Sequence, residues 1–330
     1  MQILITGGAG FIGSCFARFM VNKYPESKFV ILDKLTYAGN LKNIESIKDK
    51  INFVHGDIAD DDLVKKLYDK YKFDYVINFA AETHVDRSIG NPSDFIATDI
   101  YGTYVLLENA KRVSCRKFIQ ISTDEVYGSV PVGSSKETDA LMPRNPYSAS
   151  KAGADRLAYS YFATYNLPVI ITRCSNNYGP YQYPEKLIPL FITNAIENKS
   201  LPLYGDGKNI RDWIYVEDHA SAIDFLLTKG QDGEVYNIGG NNEKENIEIT
   251  KIILKILKKS ESLITPVKDR QGHDRRYSLN FDKIKKLGWR PKFNFDEAMA
   301  NTIKWYQENE DWWREIKSGE YALYYKRMYA

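Results

Sequence analysis

Short apolar runs alternate with amphipathic stretches along the first half of the chain. Residues 2–6, 28–33, 52–55, 75–79, 117–122 and 169–173 are runs rich in Ile, Val, Leu and Phe at strand length, and helical periodicity fills the intervals. Strands separated by helices pair in parallel, and runs apolar at nearly every position belong to strands covered on both faces. The pattern predicts a doubly wound parallel α/β sheet. After Arg173 it loosens into Tyr, Pro, Asn and Gly, and later strand candidates such as 235–238 no longer alternate strictly with helices. A first domain over 1–175 is expected, with a segment near 213–240 returning to it, and a smaller α/β lobe mainly over 176–330. There are no internal repeats or low-complexity tracts.

Composition narrows the class of partner. At 330 residues and 43% apolar content the chain can bury a large core. Forty-five basic against 43 acidic residues leave a net charge of +2, which gives no global field for nucleic acid or an anionic membrane, so any anion site must be local. The opening MQILITGG lacks the parts of a signal peptide, and no apolar run reaches membrane-spanning length. Cys15, Cys115 and Cys174 are odd in number and widely spaced, which fits buried thiols in a reducing cytoplasm. His84 with Asp86 invites a dyad or metal reading, but without HxxxH or CxxC spacing a structural role is favoured and no metal is expected.

Two motifs carry chemistry. In TGGAGFIG, residues 6–13, Gly7, Gly10 and Gly13 fall between a predicted strand and a predicted helix, where missing side chains let backbone amides approach a pyrophosphate. Asp33 follows 20 residues after Gly13 at the end of the second strand, placed to accept hydrogen bonds from a ribose hydroxyl. Its carboxylate repels a 2′-phosphate, so NAD is favoured over NADP, although Lys34 beside it works the other way. Asp57 and Ile58, after the third strand, are placed to flank the adenine; Asp57 equally suits a helix cap. The sheet is therefore expected to be of Rossmann type. In YSASK, residues 147–151, Tyr147 and Lys151 share a helix face, and an ammonium beside the phenol lowers its pKa. A phenolate can take the proton of an alcohol while hydride leaves for nicotinamide.

TGGAGFIG together with Tyr147 and Lys151 resembles the extended short-chain dehydrogenase/reductase family, whose members use bound NAD largely on sugar nucleotides. AAETHVDRSI from Ala80, STDEVYG from Ser122, RCSNNYGPYQYPEKLIP from Arg173, PLYGDGKNIRDWIYVEDH from Pro202 and DRQGHDRRYSLN from Asp269 resemble its nucleotide-sugar dehydratase branch, and the similarity runs to the tail WWREIKSGEYALYYKRMYA. The resemblance adds Phe11, Ile12, Lys34, Leu35, Thr36, Phe79, Ala80, Ala81, Thr98 and Asn177 to the cofactor residues, along with Tyr147 and Lys151. It implies dTDP-glucose as the small-molecule partner, held by Thr83, Thr123, Asn176, Lys186, Leu187, Pro202, Tyr204, Arg211, Asn246, Arg270 and His273. Cationic side chains in that set suit a diphosphate, and Tyr204 is expected near the thymine.

STDEVYG falls at the end of the fifth strand, the edge where open α/β sheets bind ligands. The resemblance assigns Thr123 as a donor to the C4 oxygen, Asp124 as the acid at the C6 hydroxyl and Glu125 as the base at C5. The implied activity is that of a hydro-lyase: C4 is oxidised, water leaves across C5 and C6, and hydride returns to C6, giving dTDP-4-keto-6-deoxyglucose. Adjacent acids also cap strand-to-loop turns. Other functions compete: a nucleotide-sugar 4-epimerase, which has no need of a C5 base or C6 acid, another nucleotide-sugar dehydratase of the same family, and a non-catalytic NAD-binding module, which has no need of the Tyr/Lys pair. The resemblance further implies a homodimer, with helical segments near 93–112 and 145–166 as its expected interface. Three features depart from the family pattern: Gln271 in place of proline, Thr83 in place of the common serine, and a compact stretch between Gly128 and Tyr147.

Overall fold

In a computed structural model, which describes residues 1–269, 273–318 and 325, the strand β1 (Gln2–Thr6) sets the layering. Ile3 and Ile5 enter one apolar layer with Phe16, Met20, Ile31, Ile119 and Ile223. Leu4 enters the opposite layer with Val30, Leu32, Tyr68, Val76 and Phe118. Successive side chains leave a strand on opposite faces, so a run buried throughout demands helices on both sides.

Five further strands follow the expected run: β2 (Lys28–Asp33), β3 (Ile51–His55), β4 (Tyr75–Asn78), β5 (Lys117–Thr123) and β6 (Val169–Cys174). The rest of the chain adds β7 (Asn176–Tyr178), β8 (Leu201–Tyr204), β9 (Ile210–Tyr215), β10 (Val235–Ile238), β11 (Glu243–Glu245) and β12 (Ile264–Val267). The main sheet has seven parallel strands in the order β10-β6-β5-β4-β1-β2-β3. It is the doubly wound Rossmann-type sheet predicted from the sequence. The strand order reverses between β1 and β4, and a cleft lies at the carboxyl ends of the strands around this crossing point. β10 joins the far edge, pairing Val235 with Ile171 and Ile238 with Cys174.

The remaining strands form the sheets β11-β9-β7 and β12-β8 in a second lobe. Its core gathers Tyr178, Phe191, Trp213, Ile253, Met299, Tyr306 and Trp313.

Polar contacts lock the strand ends where the crevice opens. Thr6 Oγ1 donates to Asn78 Oδ1 at 2.6 Å, and Asn78 Nδ2 donates to Gln120 Oε1 at 2.9 Å, linking β1, β4 and β5 within the core. Arg173, buried at the end of β6, donates through Nε and Nη2 to the buried Asp155 at 2.8 and 3.1 Å and through Nη1 to Tyr127 Oη at 2.7 Å. Tyr127 in turn donates to Asn237 on β10. These bonds tie the helix Pro146–Tyr165 and the turn after β5 to the sheet. Pro146 opens that helix, and Asn145 caps it by accepting from the Ser148 amide at 2.9 Å, which fixes Tyr147 in the first turn. The stretch near 93–112 is helical as expected, made of Pro92–Phe95 and Thr103–Arg112 joined by a π-helical stretch, Ile96–Gly102.

Candidate active site

The glycine loop is shaped by contacts that no side chain could survive. Gly7 has φ +64°, and a Cβ there would lie 2.7 Å from the Ala80 nitrogen; one at Gly13 would lie 2.3 Å from the Gly7 oxygen. Only glycine lets the loop after β1 press against that after β4 while the helix Phe11–Lys23 begins beneath it. No side chain caps the helix at Gly10, so its first amides remain available to an anion. Asp33 binds the loop directly. Its Oδ2 accepts from the Ala9 amide at 2.9 Å and its Oδ1 from the Leu35 amide at 2.8 Å, while burial raises its pKa. Lys34, whose charge argued against NAD, pairs with Asp57 at 2.6 Å.

One cleft collects most of the expected residues. Gly7, Gly10, Phe11, Ile12 and Gly13 line it together with Asp33, Lys34, Thr36, Asp57 and Ile58. Phe79, Ala80, Ala81, Thr83 and Thr98 form its middle, and Thr123, Asp124, Glu125, Tyr147, Lys151, Asn176, Asn177 and Lys186 its far end. Leu35 stands behind the lining, its side chain packed against the core and its amide on Asp33.

Leu187, Pro202, Tyr204, Arg211, Asn246 and His273 belong to the second lobe and do not line this cleft. Arg211 is buried over the Tyr277 ring and donates to the Asp274 carbonyl at 2.9 Å, yet its charge reaches Asp124. His273 Nδ1 lies 2.6 Å from Asp269 Oδ1, and its ring meets Tyr204 edge-on. Arg270 lies outside the described residues.

The acids at the far end are unequal. Thr123 Oγ1 lies 3.1 Å from Asp124 Oδ1 and 3.3 Å from the Glu125 amide, which fixes the turn Asp124–Tyr127. Asp124 is buried, and desolvation, reinforced by the neighbouring Glu125 charge, pushes its pKa up to about 8. It is therefore a protonated acid at neutral pH, while Glu125 beside it is only half-buried.

Tyr147 differs from the expectation that Lys151 would lower its pKa toward neutrality. Burial raises it well above the ordinary value, with the Glu125, Asp99 and Asp124 charges acting in the same direction and a hydrogen bond with Thr123 opposing. Lys151 is buried and donates to the Ile121 carbonyl at 2.7 Å. Its own pKa is lowered by desolvation, against the pull of Asp99 and Asp155.

Among the lining groups that the sequence reading did not name are two glutamates and a histidine. Glu82, its pKa raised by burial and by Asp99 and Asp94 to about 7, sits beside the predicted Thr83. Glu185 and His219 line the cleft as well. All three fall within the family-like stretches, but a lone Glu or His has no spacing signature to single it out. Asp99, buried behind the lining, accepts from Ser150 Oγ at 2.5 Å and from the Glu82 amide at 2.9 Å. The π-helical stretch that presents it leaves no mark on hydrophobic periodicity.

A doubly wound sheet with a glycine loop at its crossing point, and a Tyr/Lys pair on a helix against β5, defines a dinucleotide-dependent enzyme class, the extended short-chain dehydrogenases/reductases. Within it, the chain belongs to the family described as GDP-mannose 4,6 dehydratase, whose model matches residues 4–302. A dTDP-glucose 4,6-dehydratase of Escherichia coli is 46% identical, over 98% of this chain and 98% of its own length. Among solved structures, DesIV, a dTDP-glucose 4,6-dehydratase of Streptomyces venezuelae with NAD and TYD bound, matches with a TM-score of 0.93 at 48% identity, covering 96% of this chain and 100% of that one. The dTDP-glucose 4,6-dehydratase of Bacillus anthracis in complex with NAD matches at 0.90 and 50% identity, with the same coverage.

Proposed function

We propose that the protein is an NAD-dependent hydro-lyase that converts dTDP-glucose into dTDP-4-keto-6-deoxyglucose. The observation that carries this reading is the pairing of a buried Asp124 with Glu125 on one turn at the ligand edge of the sheet. The relatives named above and the fit of the cleft to a dinucleotide support it. Gly7 and Gly13 allow close backbone approach, the uncapped helix start offers amides to the pyrophosphate, and Asp33 is held at the ribose position.

When bound, NAD supplies the acceptance of hydride from C4 and its return to C6. Tyr147 would take the C4 hydroxyl proton while Thr123 donates to the C4 oxygen; burial and the Glu125, Asp99 and Asp124 charges hold the phenol's pKa up, and its hydrogen bond with Thr123 acts the other way. The ketone acidifies C5, whose proton passes to Glu125, and Asp124 protonates the departing C6 hydroxyl, which leaves as water. A solvent-derived proton then returns to C5. Lys186, Thr83 and Asn176 border the sugar end of the cleft, and Arg211 supplies positive charge from the second lobe. A 4-epimerase leaves C5 untouched, so the acid pair favours the dehydratase over that reading.

The same proposal divides the chain into a cofactor domain, 1–175 completed by about 213–240, and a nucleotide-sugar lobe mainly over 176–330. It includes a homodimer, supported by Ile96, Tyr101, Tyr104, Tyr159 and Tyr165 exposed on the helical segments 96–112 and 146–165. A cytoplasmic setting is supported by three free, buried cysteines. No helix among the described residues is long and apolar enough to cross a membrane.

Turnover of dTDP-glucose in deuterated water tests the reading. The expected product is a 4-keto-6-deoxy sugar with deuterium at C5, and its formation should slow roughly 10²–10⁴-fold in Glu125→Gln. Interconversion at C4 without water loss would replace the dehydratase with an epimerase.

A further inference from the structure

The cleft contains a histidine that none of these steps uses. His219, on the helix Val216–Lys229, is fully buried yet lines the cleft. Its neighbours fix its tautomer. The Asn177 side chain places Nδ2 3.0 Å from the Ser175 carbonyl, which can only accept, so the amide oxygen turns the other way. His219 Nδ1 lies 3.0 Å from that oxygen and must be the donor. In a neutral ring the remaining nitrogen, Nε2, then carries a lone pair. Nε2 is closed to solvent and has no hydrogen-bond partner among the described residues. Burial also drives the ring's pKa down to about 3, so it stays neutral across the working pH range.

A buried acceptor in the cleft wall is complementary to a ligand's N–H or O–H. We infer that His219 is a cofactor-holding residue: Nε2 accepts a hydrogen bond from the dinucleotide, through its carboxamide N–H or a ribose hydroxyl, while Nδ1 keeps the Asn177 amide in place. The inference rests on the NAD reading above. It gives the YVEDH segment a role that the reaction scheme leaves open, and it uses the neutral ring as a fixed acceptor with no part in proton transfer.

The test compares wild type, His219→Leu and His219→Gln, each stripped of nucleotide and titrated with NAD by intrinsic fluorescence. Leucine should weaken NAD binding ten- to hundredfold and glutamine less, while the melting temperature of nucleotide-free His219→Leu changes little, because loss of the unsatisfied Nε2 acceptor offsets loss of the Nδ1 bond to Asn177. A histidine serving only the fold would show the opposite pattern, a lower melting temperature with unchanged NAD affinity, and would overturn the inference. Should leucine fail to fold, nitrogen NMR of histidine-labelled wild type decides. The chain has only four histidines, and the Nε2 resonance missing from His219→Gln should move upfield when NAD is added. An unmoved resonance in protein that binds NAD defeats this inference alone, whereas wild type that does not bind NAD defeats the dinucleotide reading with it. Titration with nicotinic acid adenine dinucleotide separates the two donors: loss of the dependence on His219 identifies the carboxamide, and its persistence a ribose hydroxyl.

Discussion

Asp124→Asn should make the protein more stable while stopping its reaction. The folded chain holds this carboxyl near pKa 8 against an ordinary value of 3.8. Below pH 4 the group is protonated in both folded and unfolded chains and has no effect on the balance. From pH 4 to 8 the unfolded chain ionises while the folded one does not, so stability falls by about 1.4 kcal/mol per pH unit and levels off above about pH 8. At pH 7 the accumulated cost is about 4 kcal/mol, an order-of-magnitude figure. Asparagine removes it. Its oxygen keeps the 3.1 Å contact with Thr123 Oγ1, but its amide nitrogen takes the place of Oδ2, which has no hydrogen-bond partner among the described residues. That unsatisfied donor takes back about 1–3 kcal/mol.

The net gain at pH 7 is therefore about 1–3 kcal/mol, or about 2–4 °C in melting temperature for a chain of this length. At pH 5 the carboxyl's cost shrinks to about 1.6 kcal/mol and the gain vanishes. Calorimetric melts of both proteins at pH 5, 7 and 8 read the difference directly. Turnover of dTDP-glucose should fall about 10²–10⁴-fold in the variant, with reduced cofactor accumulating at 340 nm because oxidation at C4 needs no acid at C6. Wild-type activity should fall above about pH 8 as Asp124 loses its proton. A variant less stable than wild type by the same amount at every pH would refute the argument, since it would mean that Asp124 is ionised in the fold.

Two further perturbations address the frame around the site. Gly13→Ala places a Cβ 2.3 Å from the Gly7 oxygen, a backbone atom that cannot turn aside, so the glycine loop must shift; NAD affinity should fall more than about a hundredfold, and near-normal binding in a calorimetric titration would show that the loop does not hold the pyrophosphate. Asp155→Ala leaves the guanidinium of Arg173 buried without its carboxylate; urea unfolding should show a loss of about 3–5 kcal/mol, and a loss below about 1 kcal/mol would mean that water reaches Arg173.

The sheet was legible because its strands are buried on both faces, which writes them as apolar runs such as 28–33 and 169–173 that match β2 and β6 almost residue for residue. The cofactor loop was legible because glycine spacing and Asp33 answer to one local geometry. Tyr147 and Lys151 could be placed on one helix face, but not the environment around them. The lysine's contact with the Ile121 carbonyl and the carboxylates pressing on the tyrosine come from other elements, Asp99 from the π-helical stretch Ile96–Gly102. Arg211 was named from its motif, yet its contacts with Asp274 and Tyr277 depend on a chain reversal with no periodic signal.

Three buried aspartates in this protein differ in how many backbone amides face them. Burial raises the pKa of Asp33, Asp212 and Asp124 alike. Asp33 receives the Ala9 and Leu35 amides, and Asp212 those of Gly240 and Asn242, which restrain the rise and commit both oxygens to holding loops. Asp124 accepts no backbone amide, has a second carboxyl as its neighbour in sequence, and keeps one oxygen unpartnered among the described residues. The Thr123 contact and the Arg211 charge do not offset burial and the neighbouring Glu125 charge, so the group holds its proton. Amides supplied to the first two acids and withheld from the third make the same side chain, at a similar depth, a loop anchor in two places and a proton-holding acid in one.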